Sequence, residues 1–153
     1  MRRSMRSLKA DHGLHYPHVM LVDGNDERGI DVGVMSRLPI RAVTPHFDDV
    51  DAAGKRIFSR DCPHYVIEIA NGQTLSVLPN HFKSKRGGDS AAAKAQATRT
   101  KQIARDALAI SDLVLLGGDL NDVPTGPELA LAFKGGFVDV MSHPDYPTDR
   151  PGT

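Results

Sequence analysis

LVLLGGDLND, residues 113–122, is where the architecture of this chain becomes legible. The apolar run Leu113–Leu116 is strand-sized, and it stops at Gly117-Gly118 before delivering Asp119 and Asn121, so it reads as a fully buried strand with polar groups at its C-terminal end. In α/β folds that end is where sites lie. Alternation puts Asp119 and Asn121 on one side of the backbone while the chain stays extended. A carboxylate and an amide can then meet the same phosphate and its attacking water. The carboxylate can orient or deprotonate water or share a hard cation, and the amide can donate to oxygens that gain charge in the transition state. Taken alone, the same residues also read as a capping Asp and an Asx-turn before Pro124.

Working outward, SAAAKAQATRTKQIARDALAI (90–110) is rich in helix formers, with Asp89 or Ser90 as cap and Ala92, Ala95, Ile103, Ala107 and Ile110 as a buried stripe. PTGPELALAF (124–133) reads as a short helix begun by Pro127. Upstream, HYVIEIA (64–70) puts Tyr65, Ile67 and Ile69 on one strand face, Asn71-Gly72 signals a hairpin, and QTLSVLPNH (73–81) puts Leu75 and Val77 on one face. HVMLV (18–22), GIDVGVM (29–35) and PIRAVTPHF (39–47) read as extended, and 47–63 as a long surface loop. Hairpins joined to a strand-helix-strand unit imply an α/β sandwich. No repeat or linker divides the chain, and its Pro-rich end, 143–153, reads as loop.

Composition narrows the function classes. The chain has 153 residues, 40% hydrophobic and 25% charged, which is ordinary for one globular domain. Its 19 Lys plus Arg balance 19 Asp plus Glu, so attraction to phosphate has to be local. The single cysteine, Cys62, excludes an internal disulfide and a thiolate zinc cluster. No apolar run reaches the about eighteen residues of a bilayer span. The basic start of the chain lacks the apolar core of a secretion signal, so the expected location is cytoplasmic if the chain is native as given. Residues 1–14 are expected to be frayed and 15–153 to be the folded part. No obligate protein partner is evident.

Two further segments carry candidate chemistry. In PNHFKSKRGG (79–88), His81 ends a hairpin strand and is followed by Lys83, Ser84, Lys85 and Arg86, a pattern suited to gripping phosphate, although a basic loop is also an ordinary solvated surface. In NDERGIDVGVMSRLPI (25–40), Asp31 interrupts a strand between the core positions Ile30 and Val32. It is expected to hold the second nitrogen of His81, with a solvated face or pairing to Arg28 or Arg37 as alternatives. Asp49–Arg60 fails as a calcium loop, because its fifth and twelfth places are Ala53 and Arg60. The chain has no GxxxxGK, which excludes a P-loop.

Together, DERGIDVGVMSRLPI (26–40), IFSRDC (57–62), LPNHFKSKRGG (78–88) and LLGGDLNDVPTGPEL (115–129) resemble, in order and context, the endonuclease/exonuclease/phosphatase superfamily of deoxyribonuclease-I-like enzymes. The resemblance covers roughly residues 15–150. It implies a partial four-layer α/β sandwich, with two packed, mainly antiparallel sheets flanked by helices. It also implies Mg²⁺- or Mn²⁺-dependent attack of water on a phosphoester of nucleic acid, a phospholipid headgroup or a small phosphodiester. By position, His81 matches the family's first catalytic histidine, and Asp119 and Asn121 match its GDxN pair, which handles nucleophile, metal and transition state. Asn80 precedes the histidine as in many members and is expected, with Lys83, Ser84 and Arg37, to bind substrate, while Asp31 is expected in the catalytic group.

The departures set a second expectation. Family members begin with a strand bearing a metal-binding Glu and end with a Ser-Asp-His strand, and neither pattern is found here. The sequence is therefore expected to be an incomplete domain with impaired hydrolysis, weak solubility and exposed sheet edges. The other reading is a catalytically inactive remnant, or a binding-only domain of the same fold.

Overall fold

The computed structural model describes residues 13–85, 90–123, 125–134 and 136–145. Most of the segment expected to be frayed, the Asp89 cap, Arg86 with its glycines and residues 146–153 lie outside them. The elements are β1 (His18–Val22), β2 (Val32–Ser36), β3 (Ile40–Thr44), β4 (His64–Glu68), β5 (Thr74–His81), α1 (Ser90–Ala107), β6 (Leu113–Asp119) and α2 (Pro127–Phe133). Strands β1 and β2 form an antiparallel pair. The larger sheet runs β3-β4-β5-β6, antiparallel except for the parallel pair β5-β6. A parallel pair needs a crossover, and α1 supplies it. No helix among the described residues is long and apolar enough to cross a membrane.

The hairpin between β4 and β5 turns where expected, because Asn71 and Gly72 both adopt positive φ (61° and 75°), a conformation these two residues tolerate best. Tyr65 and Ile67 pair with Val77 and Leu75 on the face toward the small sheet. The opposite face of β5 presents Ser76, Leu78 and Asn80, all buried, toward α1. The core joins Leu78 to Phe58, Cys62, Ile103 and Ala104, with Ile57, Val114, Leu116 and Phe137 packed against it.

Three expectations change. Segment 47–63 is a surface loop only in its first half, since Phe58 and the run Arg60–Pro63 are buried. The buried stripe of α1 is Ala93, Gln96, Ala97, Thr100, Ile103, Ala104 and Ala107, whereas Ala92 and Ala95 flank it half-buried and Ile110 lies past the helix end, 65% exposed. Polar Gln96 and Thr100 enter the stripe because each finds a partner there. Gln96 accepts the Lys83 N–H at 2.7 Å and donates to the Ile57 carbonyl at 3.0 Å, and Thr100 donates to Asn80 Oδ1 at 3.1 Å. Strand β6 is covered on one face only. Val114 and Leu116 pack half-buried against the core, while on the other face Leu113 and Leu115 are 54% and 44% exposed.

Candidate functional site at the ends of β5 and β6

The parallel register sets His81 directly beside Asp119 at the C-terminal ends of β5 and β6. Their side chains therefore leave the same face as neighbours, with His81 Nε2 3.5 Å from Asp119 Oδ2. The imidazole is 27% exposed and the carboxylate 63%, so both stay open to a ligand. Close approach of the strands depends on Gly118. Its φ is 124°, and a Cβ there would stand 2.0 Å from the Asn80 carbonyl oxygen. Beyond the strands the two chains remain tied. The Phe82 N–H donates to the Asp119 carbonyl at 2.9 Å, the Asn121 N–H donates to Asp119 Oδ1 at 3.0 Å, and Asn121 Nδ2 donates to the Phe82 carbonyl at 2.8 Å. This fold-back places Asn121 at φ 48°, a region Asn enters more readily than most residues. The imidazole and the acid-amide pair thus converge on one sheet edge.

A second layer lies beneath. The buried Arg60 pairs through Nε with Asp26 Oδ2 at 2.9 Å and donates through Nη1 to the carbonyls of Phe82 (3.2 Å) and His81 (3.4 Å). Arg28 grips the same Asp26 with two bonds of 3.0 Å. Its hydrogen bonds outweigh burial and hold the Asp26 carboxyl well below the usual carboxylate range. Only glycine permits this docking at position 24, where a Cβ would meet Arg60 Cα at 2.9 Å. Asn25 then fastens the loop, donating from its backbone to the Ser59 carbonyl at 2.7 Å and from its side chain to those of Phe47 (2.6 Å) and Phe58 (3.1 Å). Burial first, and Arg60 second, lower the His81 imidazole below its ordinary value, while Asp119 and Asp26 pull it back up. A neutral imidazole at neutral pH is able to accept a proton.

The other expected residues are distributed differently. Asp31 does not hold His81: its Oδ1 accepts the Gly24 N–H at 2.9 Å and so closes the loop that presents Asp26. Asn80 is buried on the opposite face of β5 from His81, donating to the Leu78 carbonyl at 3.0 Å and accepting from Thr100. It is part of the packing under α1. Arg37 directly follows β2, five residues beyond Val32 where that strand begins, and its guanidinium lies 5.4 Å from the Tyr16 ring centre. Lys83 and Ser84 continue the loop directly after Phe82. Arg60 and Asp26 escaped the sequence reading. Their signal was present, since both lie in segments that carried the resemblance, but nothing in a sequence shows that two distant charges share one buried pair.

Among the described residues, no group of three or more His, Cys, Asp or Glu side chains could cage an ion. Mg²⁺ needs no such cage, since it keeps waters and takes one or two carboxylates plus substrate phosphate. The 63% exposed Asp119 carboxylate has the chemistry of an open donor of that kind.

Residues 7–139 match the Endonuclease/Exonuclease/phosphatase family, and the chain belongs to it. Solved structures share its fold. Sphingomyelinase C from Streptomyces griseocarneus is 24% identical with a TM-score of 0.59, over 86% of this chain and 52% of that one. A double mutant of beta toxin from Staphylococcus aureus with bound magnesium ions is 20% identical with a TM-score of 0.59, over 88% and 52%. A beta-hairpin deletion mutant of the same toxin is 20% identical with a TM-score of 0.57, over 86% and 52%. The chain thus spans about half the length of these structures. No curated protein sequence matches it.

Proposed function

We propose that this chain carries the site of a metal-dependent phosphoester hydrolase of the nuclease or phosphodiesterase type, in which water attacks phosphorus at the edge formed by β5 and β6. The observation that supports it most is the open His81–Asp119 pair, at 3.5 Å, beside the folded-back Asn121. Asp119, steadied by the Asn121 N–H, orients the attacking water. The neutral His81 imidazole takes up or hands on the proton at Nε2. Burial first, and second the Arg60 guanidinium behind the His81 and Phe82 carbonyls, favour the uncharged imidazole. Asp119 and Asn121 would hold Mg²⁺ or Mn²⁺, whose chemistry there is to neutralise charge on phosphoryl oxygens. The substrate is a phosphodiester of nucleic acid, of a phospholipid headgroup or of a small molecule.

A second reading, binding of a phosphorylated ligand without turnover, is favoured by the lack of a third acidic or histidine ligand beside Asp119 among the described residues. Hydrolysis of bis-p-nitrophenyl phosphate and plasmid DNA with and without Mg²⁺ separates the two. Slow, Mg²⁺-dependent turnover that falls by about 10²–10⁴ in His81→Ala and in Asp119→Asn supports the enzyme. Turnover equal in wild type and both variants, or none at all, ends that reading.

A further inference from the structure

Lys85 belongs to the basic loop that the sequence presents as a phosphate grip, yet its ammonium faces away from that task. It contacts Asp122 Oδ1 and Glu128 Oε2 together, and both carboxylates are buried. Asp122 directly follows Asn121 and is itself committed. It accepts the backbone N–H groups of Val123 (3.0 Å), Glu128 (3.1 Å) and Leu129 (3.2 Å), closing the turn into α2. Gly126 is required under it, because a Cβ there would stand 1.9 Å from the Asp122 carboxylate. Burial pushes the Asp122 carboxyl up, but Lys85 and the backbone donors outweigh it and hold it below the usual range. Lys85 in turn is held charged by the two carboxylates.

The chain leaving β5 and the chain leaving β6 are therefore joined at three successive levels: the Phe82 N–H on the Asp119 carbonyl, Asn121 Nδ2 on the Phe82 carbonyl, and Lys85 on Asp122 and Glu128. The first two are single hydrogen bonds at an open edge. The third is ionic, two-pronged and partly buried, so loss of the ammonium would leave two buried carboxylates uncompensated and loosen both loops.

We propose that Lys85 is a positioning residue: it clamps the loop after His81 to the turn after Asn121, and so keeps the imidazole and the acid-amide pair in register. For catalysis this rests on the hydrolase reading above; for structure it stands independently. The alternative is that Lys85 is a phosphate ligand, and the two roles split kinetically. A ligand lost shows in KM, whereas misplaced reacting groups show in kcat.

The test compares wild type, Lys85→Met, Lys85→Arg and the double variant Lys85→Met with Glu128→Gln, using bis-p-nitrophenyl phosphate with Mg²⁺ and amide hydrogen exchange at Phe82 and Asn121. The double variant removes one carboxylate with the ammonium and keeps Asp122 as the turn's cap, so it carries the test if the single variant does not fold. The clamp predicts kcat lower by about 10- to 100-fold with KM within about twofold. It also predicts about tenfold faster exchange at both amides and recovery of both readouts in Lys85→Arg. A raised KM with kcat and exchange unchanged overturns it. If wild type does not turn over, the hydrolase reading fails, and exchange alone decides the clamp: unchanged protection in the Met variants refutes it, and faster exchange upholds it.

Discussion

Gly118 shows how much of the site rests on one missing carbon. Its positive φ and the Asn80 carbonyl 2.0 Å from a hypothetical Cβ are separate obstacles, so Gly118→Ala meets both strain and overlap. Unfolding in urea should show a loss of about 3 kcal/mol. Gly117→Ala has nothing within 4 Å of its new methyl and no positive φ, and should stay close to wild type. Equal effects of the two substitutions would refute this account. At this scale the sequence singled out His81, Asp119 and Asn121 by residue type, and the parallel register sets the first two side by side at one strand edge. Asn80, one residue away, is turned to α1 instead, because the alternation of a strand sends neighbours to opposite faces, and which face is covered is not written in the strand itself.

Between elements, polar side chains occupy positions an apolar pattern would not assign to them. His64 Nε2 lies 2.6 Å from Ser76 Oγ, which donates to Ser111 Oγ at 2.7 Å, linking β4, β5 and the turn before β6. Burial, and then the nearby His46, lower the His64 imidazole below its ordinary 6.5. The unfolded chain then binds the proton more readily, so stability is full above about 6.5 and declines as pH falls from there toward the lower folded value. His81 acts in the same direction and Asp61, raised by burial, in the opposite one. Between about pH 7.5 and 5.5 His64 therefore contributes a fall in Tm as pH drops, and thermal melting of His64→Gln should lack that contribution. An unchanged slope in that variant would remove His64 from the account. The same feature explains the displaced stripe of α1. Gln96 and Thr100 look like surface residues by type, and partners brought by β5, the loop after it and the 57–62 segment make them core residues.

Over the whole molecule, the covering of the larger sheet is uneven. Its α1 side is packed, while on the other side β1 and β2 leave the edge strand with Leu113 and Leu115 exposed. The formal net charge is zero, so little long-range repulsion opposes contact between copies. An open strand edge with an apolar strip favours association. Light scattering should show concentration-dependent growth in wild type and less of it in Leu115→Lys, whose charge sits on that strip, with stability changed by about 0.5 kcal/mol or less. Equal association in both proteins would show that this strip is not responsible.

Strand and helix positions, the Asn71-Gly72 turn and family membership were readable along the chain, because periodicity, turn chemistry and motif spacing are local properties. Pairing was not. That Asp31 serves Gly24, that Arg60 and Asp26 meet beneath His81, that Lys85 is committed to Asp122 and Glu128, and that half of the 47–63 segment is core all depend on which distant backbone arrives alongside. A buried charge or amide is tolerable only where a partner compensates its lost hydration, and the partner's identity is a property of the folded chain in space.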